Sequence, residues 1–290
     1  MTSILCARRR EVLKKIASGP YLVWILLFIL IPILMIAFFG MVRIDPETGN
    51  YFFTSDNFKR VFEGVYLSVW TRSIFIALKA TFICLVLGYP MAMILSRMDV
   101  KYRTIAVMLF VVPMWMNFLL RTYAWMTILG KNGVLNKILT FFGLPQMTFL
   151  YSEGAVLLGM VYNFLPFMVL PIYTVLSKMD NGLIEAAEDL GANKFNSFRK
   201  VILPLSIPGI VSGISMVFMP AVSTFVISNL LYGGQYMLIG NLIEQQFLVV
   251  NDWHFGSAIS IILMIIILLT MAIMNHLSGN DPEDGGANLW

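Results

Sequence analysis

Residues 185–204, EAAEDLGANKFNSFRKVILP, form the longest strongly polar segment of the chain and lie between two long apolar runs. Glu185, Ala186 and Ala187 begin a strongly helix-forming segment, and Gly191 is expected to end it. Apolar residues then recur at helical spacing up to Pro204, and they are Phe195, Phe198, Val201 and Ile202. The pattern predicts two short amphipathic helices joined by a glycine turn.

The composition of the whole chain places it in a membrane. Hydrophobic residues make up 59% and charged residues only 12%, with a mean hydropathy of +0.81, whereas a soluble domain carries about 25% charged residues. Two cysteines in different surroundings, Cys6 and Cys84, imply no disulfide framework. The net charge of +4 does not indicate a nucleic-acid partner, because the basic residues are scattered among the apolar segments.

Six apolar runs are long enough to cross a bilayer. We expect spans at residues 21–42, 73–96, 105–129, 154–176, 208–230 and 255–275. Residues 58–70 look like an interfacial helix, and the loop 130–153 should contain a short helix. The predicted organisation is an N-terminal segment at 1–20, a six-span domain at 21–275 with a loop at 179–204, and a tail at 276–290. The fold class is therefore all-α integral membrane.

The basic residues predict which loops face the cytoplasm. Twelve of the 20 lysines and arginines fall before the first span, between the second and third, or between the fourth and fifth: Arg8, Arg9, Arg10, Lys14, Lys15, Arg97, Lys101, Arg103, Lys178, Lys194, Arg199 and Lys200. By the positive-inside rule these segments are cytoplasmic. Both termini and the loop at 179–204 are then expected on the cytoplasmic side.

The same loop resembles the EAA loop of importer-type ABC transporter permeases, through Glu185-Ala186-Ala187, Gly191 and the Ile-Leu-Pro ending at Pro204. The resemblance implies the MetI-like permease fold, in which this loop docks on a separate ATPase and couples ATP hydrolysis to the spans. On that basis Glu185, Ala186 and Ala187 would form the first short helix and Gly191 would supply the turn. Phe195 and Phe198 would contact the ATPase. An amphipathic segment lying on lipid headgroups is the alternative that the residues alone leave open.

Further motifs resemble the permeases of spermidine/putrescine importers, the PotB type, over nearly the whole chain. They are Gly88-Tyr89-Pro90, Val112-Pro113-Met114-Trp115, Leu165-Pro166-Phe167-Met168, Gly240-Asn241-Leu242-Ile243 and Asp252-Trp253. His254 follows the last pair where members of the family carry proline. The resemblance implies a polyamine path shared with a second permease subunit, two copies of an ATPase, an extracellular polyamine-binding protein and a surrounding plasma membrane.

A polyamine path should offer aromatic faces and acceptor oxygens. No Asp or Glu falls inside the six predicted spans, so the chain should pass the cation without trapping it. The candidate path residues, chosen near proline-broken stretches or at the outer mouth, are Trp115, Asn117, Tyr162, Asn163 and Asp252. Each has a structural alternative, such as bonding a neighbouring helix or anchoring at the interface.

Two cations, Lys79 and Arg121, fall inside the predicted spans, where snorkelling towards the outer surface is the default expectation. The chain contains no G-x-x-x-x-G-K-[ST] phosphate-binding pattern, so a separate subunit should hydrolyse ATP. The two histidines lie far apart, which predicts no metal site, and no cofactor is expected. The remaining alternatives are a permease for another small solute and an ATP-independent secondary transporter.

Overall fold

The computed structural model describes residues 19–44 and 51–277, which form two compact units. The first contains the described residues up to Glu63 together with Gln245–Met264, and the second contains Gly64–Glu244 and the described residues from Ile265. Helices dominate both units, which confirms the all-α prediction. The predicted segments 1–20 and 276–290 lie almost entirely outside the described residues.

The first unit contains the first apolar helix, a hairpin and the start of the last helix. Its elements are α1 (Gly19–Met41, with a π-helical turn at Leu26–Leu30), β1 (Val42–Ile44), β2 (Tyr51–Phe53), α2 (Asp56–Val61), a π-helical turn (Gln246–Val250) and the first half of α12 (Trp253–Leu277). The two strands are antiparallel, with Arg43 opposite Phe52. Helix α1 closely matches the first predicted span.

Polar contacts fix the end of α1 within this unit. The buried Asn57 amide donates to the Gly40 and Val42 carbonyls, each at 3.2 Å. A Cβ atom added at Gly40 would lie 2.9 Å from the Ile261 side chain, so glycine permits the close approach of α1 to α12. These contacts hold α2 and the last helix against the end of α1 and the start of β1.

The second unit contains nine helices among its described residues. They are α3 (Gly64–Arg97), α4 (Val100–Trp115), α5 (Phe118–Leu129), α6 (Val134–Phe141), α7 (Glu153–Ser177), α8 (Asn181–Asp189), α9 (Lys194–Ser223, with a π-helical turn at Phe198–Ile202), α10 (Val226–Tyr232) and α11 (Ile239–Gln245). Helix α6 confirms the short helix predicted in the loop 130–153.

Helix α7 is the centre of the second unit and packs between α3 and α9. Its fully buried Met168 faces a glycine on each neighbour. A Cβ atom would lie 3.0 Å from Met168 if added at Gly88 of α3, and 2.8 Å from it if added at Gly213 of α9. Small residues therefore let the three helices approach closely, as is common where helices pack inside membranes.

Three predicted boundaries are wrong. Residues 58–70 do not form one interfacial helix, because α2 ends at Val61 and α3 begins at Gly64 and continues as the second span. The predicted third span is broken after Trp115, where the chain bends by 93°. The fifth span begins at Lys194 rather than 208, because the helix continues through Pro204, which lies just after the π-helical turn at Phe198–Ile202.

Five of the described helices are long and apolar enough to cross a membrane, and the bent pair α4–α5 makes up to six. The most apolar window of α1 has no buried residue, whereas 56% of that of α7 is buried. The six predicted spans are thus found as helices, with the third in two pieces.

Candidate functional site

The loop at 179–204 folds as two capped helical segments joined by a tight turn. The Asp180 carboxylate accepts the Gly182 N–H at 2.9 Å at the start of α8, and the Asn193 side chain accepts the Asn196 N–H at 2.8 Å at the start of α9. Such caps satisfy backbone N–H groups that have no partner within the helix. The loop thus has two helical segments, and the second continues directly into a membrane span instead of ending as a short helix.

Gly191 forms the turn between them with a φ of +84°. Its N–H donates to the Glu188 carbonyl at 2.9 Å, and the Ala192 N–H donates to the Ala187 carbonyl at 3.0 Å. This pair of bonds is the Schellman arrangement that commonly ends a helix, and its left-handed residue is usually glycine. The turn therefore depends on the residue type at position 191.

The loop exposes apolar side chains that its own helices do not cover. Leu190 is 89% exposed and Phe195 is 67% exposed. Phe198, in contrast, turns inward and packs edge-on against Tyr89 of α3, with ring centroids 5.8 Å apart. The two phenylalanines predicted as one contact surface thus differ in exposure, although both line one cavity. Leu190 was not predicted, although it is an apolar residue placed just before a helix-ending glycine.

A cavity of about 590 Å³ separates the loop from the end of α3. Charged groups of both signs line it, and they are Arg97, Glu185, Glu188 and Lys194. Glu185 and Ala186 are exposed, while Ala187 is half-buried. Of the predicted loop residues, Glu185, Phe195 and Phe198 line this cavity, together with Arg97, which the loop sequence alone does not reveal.

The candidate path residues do not share one site. Trp115 is 82% exposed at the end of α4. Asn117 caps α5, where its side-chain oxygen accepts the Leu119 N–H at 2.8 Å. Tyr162 packs edge-on against Trp125, with centroids 5.4 Å apart. Of these residues, Tyr162 lines a cavity of about 190 Å³ beside the bend of the third span.

Asn163 and Asp252 have quite different surroundings. Asn163 is buried in α7, where its amide donates to the Gly159 carbonyl at 2.8 Å and its side-chain oxygen has no partner. Asp252 belongs to the first unit, pairs with Arg60 at 2.9 Å and accepts the Phe255 N–H at 3.0 Å. The Asp252 carboxylate thus has structural partners already, whereas the Asn163 oxygen is free.

The two cations inside the predicted spans, Lys79 and Arg121, differ in exposure and in their partners. Lys79 is exposed and pairs with Glu153 at the start of α7. Arg121 is only 8% exposed, and its Nε has no hydrogen-bond partner. Arg121 therefore does not snorkel as expected, since its side chain is buried inside the second unit.

A polar network joins α10 and α11. The buried Asn241 amide donates to the Asn229 side chain, whose own amide donates to the Glu244 carboxylate at 2.8 Å. Burial raises the pKa of the nearby Tyr232 hydroxyl to about 12, and the Glu153 carboxylate acts in the same direction. Tyr232 stays protonated at neutral pH.

No group of three or more His, Cys, Asp or Glu side chains in the described part of the chain could hold a metal.

The chain belongs to the family described as "Binding-protein-dependent transport system inner membrane component", which it matches over residues 84–279. It is thus an inner-membrane permease component of a transport system, rather than an enzyme. Within this class it is 39% identical over 263 residues to the spermidine/putrescine transport system permease protein PotB of Haemophilus influenzae, covering 90% of this chain and 92% of that one. PotB of Escherichia coli K12 is 40% identical over 253 residues, which is 86% of this chain and 92% of that one.

Solved structures have the same fold at low sequence identity. A bacterial ABC transporter involved in alginate import has a chain with a TM-score of 0.80 and 17% identity, covering 96% of this chain and 98% of that one. The MetNI methionine ABC transporter has a chain with a TM-score of 0.51 and 17% identity, covering 75% and 98%. The predicted MetI-like permease fold is confirmed.

Proposed function

We propose that this chain is a permease subunit of an ATP-driven ABC importer and that it carries spermidine or putrescine into the cytoplasm. The observation that supports it most strongly is the 39–41% identity to several PotB permeases across 86–90% of the chain. Two permease subunits, this chain and a second one, enclose the path. An extracellular polyamine-binding protein delivers the substrate.

The loop at 179–204 docks on the ATPase in this proposal. Exposed apolar side chains are unfavourable in water, and a partner that covers Leu190 and Phe195 would remove them from it. The caps and the Gly191 turn hold these side chains on a short, defined element. Two copies of the ATPase would each receive one such loop, one from each permease subunit.

The packing of Phe198 on Tyr89 suggests how the loop transmits movement. Tyr89 lies in α3, and its hydroxyl is 3.0 Å from the buried Ser206 hydroxyl of α9. A displacement of the loop by the ATPase would therefore act on both helices that flank α7. Coupling through packed side chains requires such a contiguous physical connection.

The loop must face the cytoplasm for this role, and the distribution of basic residues supports that orientation. Both termini then lie in the cytoplasm, and the plasma membrane surrounds the chain. The exposed apolar surface of α1 suits contact with membrane lipid. Cysteines placed at Ala192 and Phe53 test the orientation, because a membrane-impermeant thiol reagent applied from outside should label position 53 and leave position 192 unlabelled until the membrane is opened.

The polyamine path is placed along α7, near Tyr162 and Asn163. A cation is attracted to the face of an aromatic ring and to carbonyl oxygens. Pro166 has no N–H to donate to the Tyr162 carbonyl, and the Asn163 side-chain oxygen is unpaired. Trp115 lies at the bend between α4 and α5, and Asn117 caps the start of α5. Asp252 can act at the outer mouth only if its ion pair with Arg60 opens.

Uptake by the reconstituted complex tests the substrate. Proteoliposomes that contain this chain, its second permease, its ATPase and its binding protein should accumulate labelled spermidine or putrescine, and unlabelled polyamine should compete. Labelled sulfate serves as the control and should not accumulate. Sulfate uptake without polyamine uptake would contradict the substrate and leave the permease fold unaffected.

A further inference from the structure

Arg121 is a buried cation whose charge is not neutralised by the described part of the chain. It is 8% exposed, and the ion pairs of the described residues all involve other cations. The ring centroid of Phe118 lies 6.0 Å from the guanidinium carbon, at the edge of cation–π range. Burying a charge is costly unless a counter-charge compensates it.

The position of Arg121 on its helix adds to that cost. It is the fourth residue of α5, at the end of the first turn after the Asn117 cap. The backbone dipoles place partial positive charge at a helix N-terminus, which disfavours a cation and favours an anion there. Guanidinium and helix end therefore attract a negative group to the same place.

A cavity of about 190 Å³ lies beside the guanidinium and offers room for such a group. Its lining is apolar except for Arg121 itself and Tyr162, and includes Pro113 and Pro166. A carboxylate suits the lining because it accepts two parallel N–H bonds from an arginine, and the Tyr162 hydroxyl can supply another donor. A polyamine does not suit it as the partner of Arg121, since its ammonium groups would meet a like charge until an anion neutralises the guanidinium.

The depth of the site argues against a lipid phosphate as the anion. Helix α4 leads to the bend and has 16 residues, which span about 24 Å at 1.5 Å per residue. That is less than the roughly 30 Å thickness of the hydrocarbon core. If α4 starts at the membrane surface beside Lys101 and Arg103, the bend lies inside the apolar layer. An anion at that depth comes from protein.

The surrounding face lacks a partner in the chain. Helix α4 has no buried residue, and its Leu109, which lines the cavity, is 68% exposed. We propose that the second permease subunit covers this face and places an Asp or Glu carboxylate in the cavity, where it forms an ion pair with Arg121. The inference rests on the two-permease arrangement of the proposed function. The pair also neutralises a cation that would otherwise repel a polyamine near Tyr162.

Association of the two permeases tests the ion pair directly. In the complete complex with a tag on this chain, Arg121→Met should weaken retention of the second permease by roughly a hundredfold or more, because its carboxylate is then buried without a partner. Lys79→Met is the matched control, since Lys79 is an exposed cation paired within its own chain, and it should retain the second permease as the wild type does. Unchanged retention in Arg121→Met would overturn the proposal.

Charge reversal identifies the partner and guards against a variant that merely misfolds. Arg121→Glu should abolish association, and changing one Asp or Glu in the spans of the second permease to Arg should restore it. If no such change in the second permease restores association, or if changing an acidic residue of this chain to Arg restores it instead, the proposed ion pair is refuted. If Arg121→Met loses the second permease while the wild-type complex imports no polyamine, that result would contradict only the proposed substrate and would support the ion pair. A wild-type chain that associates with no second permease would contradict both proposals.

Discussion

Replacing Gly191 with alanine should weaken docking of the ATPase without disturbing the rest of the permease. The φ of +84° lies in the left-handed region, and a Cβ atom built there meets no atom within 4 Å. The penalty is therefore backbone strain alone, about 1–2 kcal/mol for a residue other than glycine. The strain falls on the two hydrogen bonds that close the turn at the end of α8.

That penalty converts into a measurable change in affinity. A cost of 1–2 kcal/mol reduces the equilibrium constant for the docking conformation by roughly 5–30-fold, and the apparent Kd of the ATPase rises by up to the same factor. Titration of the purified ATPase onto the permease pair in nanodiscs measures this Kd. ATP-driven uptake at limiting ATPase should fall in parallel, and Gly191→Asn should lie between glycine and alanine because asparagine tolerates the left-handed region better.

Gly143→Ala provides the matched control. Gly143 has a φ of +73° and also has no atom within 4 Å of an added Cβ, so the strain is similar, but it lies in the loop 130–153 away from residues 179–204 in sequence. The Gly143→Ala permease should bind the ATPase with the same affinity as the wild-type permease. If Gly191→Ala and Gly143→Ala bind the ATPase equally well, the reasoning about the turn is refuted.

Three further substitutions have defined outcomes. Leu190→Ser should raise the Kd for the ATPase by roughly 5–30-fold, because about 1–2 kcal/mol of apolar burial is lost. The unfolding temperature should not change, because the side chain is 89% exposed in the free permease. An affinity equal to that of the wild type would exclude Leu190 from the docking surface. Asn163→Leu should change the free energy of unfolding by only about 1 kcal/mol but lower polyamine uptake, and normal uptake would exclude Asn163 from the path. Gly213→Val should lower the unfolding temperature through overpacking of about 1–3 kcal/mol against Met168, whereas Gly64→Val, with open space around it, should not.

The structure of the loop at 179–204 was largely predictable because its signals are local. A helix-forming run, a glycine and a renewed apolar period specify two capped segments within a few residues. The inward direction of Phe198 was not predictable, since it depends on Tyr89, more than 100 residues away in the chain. The exposure of Leu190 follows from the turn geometry once that geometry is known.

The breaks in the spans were harder to predict, because hydropathy does not register them. Residues 105–129 read as one apolar run, yet the chain bends by 93° after Trp115 and begins a new helix that Asn117 caps. Asn117 was assigned to the path as a polar residue near Pro113, while its side chain is used locally. Periodicity likewise did not show that α3 extends back to Gly64, because residues 58–70 look like one separate amphipathic segment in the sequence.

Isolated polar residues were the least predictable part. Asp252 in a loop and Asn163 in a span both looked available to a substrate, but Asp252 pairs with Arg60, nearly 200 residues earlier in the chain, and the Asn163 oxygen is unpaired. Arg121 was expected to snorkel and is instead buried. The partner of a long side chain depends on the tertiary structure, and a single sequence does not reveal it.

The central claim is that ATP hydrolysis by a separate subunit drives polyamine import through this permease. The most direct measurement is the accumulation of labelled spermidine and putrescine by sealed proteoliposomes of the complete complex, with the external side of the permease facing out, and with ATP or a non-hydrolysable analogue inside. The account predicts accumulation against a gradient with ATP and none with the analogue. Equal accumulation under both conditions would contradict it and indicate an ATP-independent carrier.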